Sequence, residues 1–256
     1  MFFKWGLLLA FLAATGAHSF SQVTGLSGWE LFIDPGHSQQ ENMGLYNYSE
    51  AEKVLRVARE LEILFEEETD IAEVHLSRRN DEDQMSLESR TTLANELGVD
   101  FYYSVHSDAG DASQNSTLTL YGGWRQYGET VEKTPQGGAE YGRILHEDLA
   151  AAMRIDDRGN WADRNYYLGE DVHHHENQWP YLYVNRTSNM PSLLSEGGFH
   201  THPVQQQRNL NAEWKKLEAL SAFRSFLFYH GLQPPETGIM AGSLTDAETV
   251  KAINGA

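Results

Sequence analysis

Short apolar runs alternate with amphipathic patterns along most of this 256-residue chain, and this alternation restricts the folds open to it. The stretch from Ser49 to Phe65 repeats apolar residues with helical spacing, whereas Phe101 to His106 is a brief, mostly apolar run. Alternating strands and helices predict an α/β domain with a largely parallel sheet. The other predicted strands are 30–34, 71–76, 117–121, 181–184 and 192–196, and the other predicted helices are 87–97, 138–153 and 211–230.

Residues able to bind or assist a metal ion lie at the ends of these elements. His37 follows the first strand, His106 and Glu196 end two later strands, and Glu50 opens the first helix. Because ligands of parallel sheets bind beyond the carboxyl ends of the strands, one rim of the sheet should collect them. Two histidines and one carboxylate form the ligand set of a catalytic zinc site. The further carboxylate, Glu196, is suited to act as a general base toward the attacking water.

Simpler roles compete with these assignments. His37 is also explained as a turn residue, and Glu196 as a capping or salt-bridging carboxylate. Glu52 lies close enough to Glu50 to compete as the helix carboxylate. The run of histidines at 173–175 suggests a second metal site, but adjacent histidines cannot all face one ion, which favours a solvated loop.

Composition limits the possible partners. The chain has no cysteine, so a bound metal must be held by His, Asp or Glu. The formal net charge of -18 argues against nucleic acid or an anionic membrane surface as a partner. Lys4 followed by an apolar stretch predicts a signal peptide over residues 1–19. We therefore expect export to the periplasm or cell exterior, with no integral membrane span after cleavage.

The rest of the chain divides into a catalytic domain over 28–233 and a short tail. Residues 236–256 are predicted to be a linker with a candidate first strand of a truncated β-sandwich module, resembling carboxypeptidase-regulatory-like domains. The polar, aromatic stretch 156–180 has no regular pattern and is longer than an ordinary connection, which suggests a lid or binding loop. Five aromatic residues in and beside it would either stack on sugar rings or anchor the loop: Trp161, Tyr166, Tyr167, Trp179 and Tyr181.

From about Trp29 to Leu232 the sequence resembles the zinc-dependent N-acetylmuramoyl-L-alanine amidases that open with Asp-Pro-Gly-His. Each matching segment is weakly diagnostic, but their order and spacing together are specific. They are Ile33 to His37, Glu50 with its helix, Val74 to Arg78, Arg90 through Asn95, Ser104 to His106, and Met190 through Phe199.

This resemblance implies a single Zn²⁺ held by His37, Glu50 and His106, with Glu196 as the catalytic carboxylate. It also implies a twisted mixed sheet with helices on both faces. The implied reaction is hydrolysis of the amide between N-acetylmuramic acid and the L-alanine of the peptidoglycan stem peptide. Peptidoglycan or a muropeptide would be the substrate, and the sequence identifies no activator protein.

Three further side chains are candidates for supporting roles. Arg90 and Asp108 are predicted to bind substrate, although a structural ion pair explains Arg90 equally well. Asp34 is predicted to orient His37, because histidines that bind metals usually need a hydrogen-bond partner for the second ring nitrogen.

The sequence also departs from the family pattern. Ser38-Gln39 replaces the usual Gly-Gly, residues 200–202 read His-Thr-His, and 161–180 looks like an insertion. These departures keep two alternatives open. One is a cell-wall-binding or regulatory module without turnover, and the other is a zinc peptidase that acts on another amide.

Overall fold

A six-stranded sheet organises the computed structural model, which describes residues 22–169 and 179–239. A two-stranded antiparallel hairpin accompanies it. The strands of the sheet are β1 (Glu30–Pro35), β2 (Glu73–Leu76), β3 (Phe101–Asp108), β4 (Ser116–Tyr121), β7 (Asp156–Ala162) and β8 (Ser192–Phe199), and those of the hairpin are β5 (Gly123–Gln126) and β6 (Glu129–Glu132).

The sheet is mixed but mostly parallel. Its strands lie in the order β2-β1-β3-β8-β4-β7. The strands β2, β1, β3 and β8 pair in parallel, whereas β4 runs antiparallel to β8 and parallel to the edge strand β7. The carboxyl ends of β1, β3 and β8 therefore share one rim of the sheet.

Helices cover both faces of this sheet, which confirms the predicted fold class. Alternate side chains of β3 enter separate cores: Phe101 and Tyr103 pack in one core and Tyr102 in the other. Because both faces of the central strands are buried, they read as continuous apolar runs. The helices are α1 (Glu50–Glu68), α2 (Leu87–Leu97), α3 (Gly138–Met153), α4 (Asp163–Leu168), α5 (Tyr183–Thr187), α6 (Pro203–Leu210) and α7 (Ala212–Tyr229).

Helix α1 begins at a capping box that decides which glutamate faces the rim. The Ser49 hydroxyl accepts a hydrogen bond from the Glu52 backbone N–H (3.1 Å), and the Glu52 carboxylate accepts one from the Ser49 N–H (2.8 Å). Because Glu52 is engaged in the cap, the carboxylate available at the rim is that of Glu50, which is buried.

Two predictions about the second half of the chain are wrong. Residues 181–184 were expected to form a strand, but α5 begins at Tyr183. The buried Asp163 carboxylate accepts hydrogen bonds from the N–H groups of Tyr181 and Leu182, at 3.0 Å each, and so bends the chain before α5. The stretch 156–180 is not irregular throughout either, since it contains β7 and α4. As an edge strand, β7 has a neighbour on one side only and tolerates polar side chains, so it lacks a strand pattern.

Some predictions fall outside the described residues. These are the signal peptide at 1–19, the histidines at 173–175, and most of the tail predicted at 236–256. Within 22–169 and 179–239, no helix combines the length and apolar character that a membrane crossing requires.

Arg90 is buried beneath the rim, where its contacts favour the structural ion pair that the sequence left open beside a contact with substrate. Its guanidinium donates to Asp34 Oδ1 (2.5 Å), to the Pro35 carbonyl (2.8 Å) and to the His37 carbonyl. Asp34 accepts hydrogen bonds from the Ser77 hydroxyl (2.6 Å) and the Tyr102 hydroxyl (2.7 Å). Among the described contacts it reaches His37 through Arg90, which donates to the His37 carbonyl, and direct orientation of the His37 ring by Asp34 stays a prediction.

The charge of Asp34 depends on these partners. Burial alone would raise the pKa of Asp34, but the positive charge of Arg90 and the hydroxyl groups of Ser77 and Tyr102 outweigh it and hold the pKa below its usual value. The buried pair therefore ties β1 to α2 and fixes the turn that carries His37.

We expect Arg90→Met to lower the free energy of unfolding by about 3–5 kcal/mol, because it leaves Asp34 buried without a cation. Arg143→Met is the matched control. Arg143 pairs with Glu140, and their side chains are 63% and 56% exposed, so the loss of Arg143 should have little effect on stability. Urea unfolding of both variants measures the difference. Equal effects would contradict a structural role for Arg90.

The same variant predicts a pH dependence. In the native protein the lowered pKa of Asp34 contributes stability above the unfolded pKa of about 3.9, and this contribution is lost as the pH falls through the folded pKa. Without Arg90, burial should raise the pKa of Asp34 above its unfolded value, so protonation of Asp34 removes the cost of the buried carboxylate as the pH falls toward about 3.9. The difference in unfolding free energy between the two proteins should therefore begin to narrow above about pH 4 and narrow further below it, where the native protein loses the contribution of Asp34.

Candidate metal centre and active site

His37, Glu50 and His106 meet at the rim formed by the ends of β1 and β3. Glu50 Oε2 lies 3.2 Å from His37 Nε2, and Glu50 Oε1 lies 3.0 Å from His106 Nδ1. Each residue offers one donor atom, and these atoms lie within 4.8 Å of one another. The three residues proposed from the sequence as metal ligands are thus brought together, although they come from three distant segments.

The carboxylate of Glu50 is held by protein donors. The Ser107 N–H donates to Oε1 (2.8 Å) and the Asn42 side-chain amide donates to Oε2 (2.7 Å). Burial alone would raise the pKa of Glu50, but hydrogen bonds from His106 and His37 outweigh it and hold the pKa well below the usual value. Glu50 also opens α1, where the helix dipole favours an anion. It is therefore ionised, as a metal ligand must be.

The turn after β1 is shaped around the second histidine. The His106 ring fills the space that a β-carbon at Gly36 would occupy, so only glycine fits there. His37 has φ 59°, in the left-handed region that residues other than glycine seldom adopt. Ser38 and Gln39, which replace the usual Gly-Gly, fit this turn: Ser38 is buried and Gln39 also has a positive φ, at 53°.

This donor set fits a zinc ion. Zinc binds imidazole nitrogen and carboxylate oxygen, and this chain has no thiolate to offer. Tetrahedral zinc with ligands at about 2.0–2.2 Å sets neighbouring donor atoms roughly 3.3 Å apart. The separations from Glu50 to the two histidines, 3.2 and 3.0 Å, are close to that spacing.

Glu196 lies opposite His106 in the parallel pairing of β3 and β8. Its Oε2 is buried and has no hydrogen-bond partner among the residues that the structure describes. Burial, followed by the negative charges of Glu50 and Asp108, raises the pKa of Glu196 well above the usual value. An unpartnered carboxylate with a raised pKa, beside a candidate metal site, has the properties of a general acid or base.

Asp108 reaches the same rim but is already paired. It ends β3 and accepts a hydrogen bond from Arg158 of β7, whose guanidinium also lies 5.0 Å from the centre of the Phe199 ring. The Asp108 side chain remains 27% exposed. Its predicted contact with substrate therefore stays a prediction.

Two residues beside the candidate metal centre, Asn42 and His200, have no role predicted from the sequence. The Asn42 amide lies 3.0 Å from His37 Nε2 as well as bonding Glu50, but its polar loop shows no pattern that would single it out. His200 is buried, donates through Nδ1 to the Ser107 carbonyl (2.9 Å) and lies 3.8 Å from Glu50 Oε2. Only its departure from the family pattern marked it in the sequence.

A buried ion pair supports the strand that carries Glu196. Beyond Glu196 the pairing of β3 and β8 shifts, because Gly197 and Gly198 form a bulge. Lys53 of α1 donates to the Gly197 carbonyl (3.0 Å) and to Glu218 of α7 (2.6 Å). The Glu218 carboxylate leaves no room for a β-carbon at Gly197. This contact joins the helix that begins with Glu50 to the strand that carries Glu196.

We expect Lys53→Met to lower the free energy of unfolding by about 3–5 kcal/mol, because Glu218 loses its only close cation within the described residues. Combining it with Glu218→Leu should restore most of the stability, as replacement of a buried pair by apolar residues often does. Lys216→Met is the control, since Lys216 belongs to exposed pairs. Thermal and urea unfolding would test this, and a double variant no more stable than the single one would contradict it.

This chain is similar in sequence to several known amidases. The sequence profile of the N-acetylmuramoyl-L-alanine amidase family matches residues 31–222. The N-acetylmuramoyl-L-alanine amidase CwlM of Bacillus licheniformis is 28% identical over 171 residues, which are 66% of this chain and 56% of that protein. The sporulation-specific amidase of Bacillus subtilis is 29% identical over 174 residues, with the same two shares. The chain thus spans a little over half the length of these curated relatives.

Solved structures show the same architecture. The crystal structure of N-acetylmuramoyl-L-alanine amidase from Clostridium difficile 630 matches with a TM-score of 0.62 and 26% identity, over 78% of this chain and 96% of that one. The catalytic domain of the amidase CwlV from Bacillus (Paenibacillus) polymyxa matches with a TM-score of 0.63 and 19% identity, over 80% and 99%. Since the family profile covers most of the sheet and both candidate histidines, the chain belongs to the N-acetylmuramoyl-L-alanine amidase family.

Proposed function

We propose that this protein hydrolyses the amide between N-acetylmuramic acid and the L-alanine of the peptidoglycan stem peptide. The observation that carries the proposal is the Glu196 carboxylate, whose Oε2 is buried and unpartnered among the described residues, beside the cluster of His37, Glu50 and His106. Family membership supports the same reaction. We also propose that the protein works outside the cytoplasm, in the cell envelope, where this substrate lies.

The roles of the residues follow from their chemistry. His37, Glu50 and His106 would hold one Zn²⁺, which would polarise the amide carbonyl and lower the pKa of water. Glu196 would take a proton from the attacking water and deliver it to the departing amine nitrogen. A carboxyl group with a raised pKa suits this exchange, because it holds a proton more readily than an ordinary carboxylate and can still release it to the amine.

We expect Glu196→Gln to lower kcat by about 10²–10⁴-fold, because the amide keeps the shape of the side chain but cannot take up the proton. Glu129→Gln, which changes an exposed glutamate of β6, should leave kcat unaltered. For the native protein and Glu129→Gln, mass spectrometry of muropeptide digests should show free stem peptide and intact disaccharide. Glu196→Gln with native activity would remove Glu196 from the reaction.

Metal content gives a test that does not depend on turnover. Elemental analysis should find one zinc per chain, removed by a chelator and lost in His106→Ala. His75→Ala is the matched control, because His75 also lies beside two carboxylates. They belong to Glu30 and Glu73, which begin β1 and β2 at the end of these strands away from the rim. Loss of zinc from the His75 variant instead would contradict the proposed ligand set.

The products also distinguish the two alternatives from the proposed reaction. A cell-wall-binding module would sediment with wall material and release nothing from it, with or without added zinc. A zinc peptidase would cleave peptides that lack muramic acid. The experiment therefore compares intact peptidoglycan, muropeptides and free stem peptide under the same metal conditions.

A further inference from the structure

Three tyrosines form an exposed aromatic surface on the segment between β7 and α5. We call Tyr166, Tyr167 and Tyr181 the aromatic platform. The rings of Tyr167 and Tyr181 are stacked, with centroids 4.7 Å apart and planes 24° apart. The rings of Tyr166 and Tyr167 meet in a T-shaped contact, with centroids 5.2 Å apart. Despite these contacts, the three side chains remain 36–43% exposed. Stacked aromatic rings that stay exposed are a common mark of a binding surface.

The aromatic platform adjoins the candidate active site. Arg158 donates to the Tyr166 hydroxyl (2.8 Å) and, through its other terminal nitrogen, to Asp108 at the end of β3. Asp108 lies two residues after His106 and pairs with Phe199, three residues after Glu196. The charges of Glu196 and Asp108 act on both Tyr166 and Tyr167, in addition to burial, and raise their pKa values. One hydrogen-bonded connection thus links the platform to the strands that carry the reacting groups.

The chemistry of this surface favours an uncharged ligand with an apolar face. The tyrosines offer flat rings and neutral hydroxyls, and the neighbouring charges of Arg158 and Asp108 satisfy each other. A pyranose ring presents C–H groups on one face and polar groups around its edge, which matches a tyrosine with its apolar body and polar tip. An N-acetylated amino sugar carries no net charge, so it escapes repulsion by Glu196 and by a protein of net charge -18.

We propose that the aromatic platform is a saccharide subsite that stacks on an N-acetylated amino sugar of the glycan strand next to the scissile amide. This inference rests on the proposed function, because it names the part of the substrate that the platform holds. Stacking there orients the glycan so that the amide faces Glu196. Part of the substrate specificity then lies in the segment after β7, which the sequence marks as an insertion, and not in the metal centre.

Direct binding of a saccharide tests this subsite without relying on turnover. The probe is the N-acetylglucosamine tetramer, titrated by calorimetry into the zinc-loaded Glu196→Gln protein, with free stem peptide as the second arm. Tyr167→Leu and Tyr181→Leu should each weaken tetramer binding by about tenfold and leave peptide binding unchanged. Tyr167→Phe keeps the ring and should bind like the parent.

A matched control separates stacking from general loss of aromatic surface. Phe228 of α7 is 42% exposed, as Tyr181 is, so Phe228→Leu removes a comparable ring away from the platform and should bind the tetramer normally. Should a leucine variant fail to fold, tyrosine ring resonances of the parent protein give a second measurement: the tetramer should shift those of the platform.

The possible results distinguish failure of the saccharide subsite from failure of the proposed hydrolysis. If the leucine variants bind the tetramer as the parent does, or if the parent binds only the free stem peptide, the saccharide subsite is wrong. If the tetramer binds at the platform but no preparation releases stem peptide from peptidoglycan, the proposed hydrolysis fails while the subsite stands. In active protein, Tyr181→Leu should raise KM for glycan strands with little change in kcat.

Discussion

The parallel pairing of β3 with β8 is the constraint on which the site depends. It sets His106 and Glu196 opposite each other, and the bulge at Gly197 and Gly198 ends the regular pairing immediately afterwards. The His106 imidazole of the candidate metal centre is thus fixed beside the Glu196 carboxylate, whose Oε2 has no partner among the described residues. Because hydrogen bonds between strands fix their positions, few side chains are needed to orient them.

This arrangement buries charged side chains, and ion pairs below the rim stabilise them. Asp34 and Arg90 hold the turn after β1, while Lys53 and Glu218 hold the bulge of β8. Neither pair touches the proposed reacting atoms. Glu196 differs from these residues because burial, with the negative charges of Glu50 and Asp108, outweighs the positive charges of Arg158 and Lys53 and keeps its pKa raised. The contrast with the paired ions supports a chemical rather than a structural role for Glu196.

Much of this organisation could be predicted from the sequence, because it follows from local patterns. The buried strands, the capped start of α1 and the His-Glu-His cluster are all visible as short motifs at the ends of elements. What could not be predicted depends on contacts between distant segments. For Arg90 the sequence left a substrate contact and an ion pair equally open, because its buried partners lie far away in the sequence. Residues 181–184 looked like a strand because nothing local shows that Asp163 bends the chain there.

The segment after β7 shows how one scaffold can separate reaction from recognition. The candidate metal centre lies on the central strands β1 and β3, with α1 anchored by its capping box, and substitutions there would disturb buried networks. By contrast, β7 is an edge strand and α4 leaves it at the surface, so residues there can change with little effect on the core. Binding residues are often carried by such peripheral segments on a rigid framework. A saccharide subsite on α4 and at Tyr181 would therefore let glycan preference vary while the hydrolytic centre keeps its geometry.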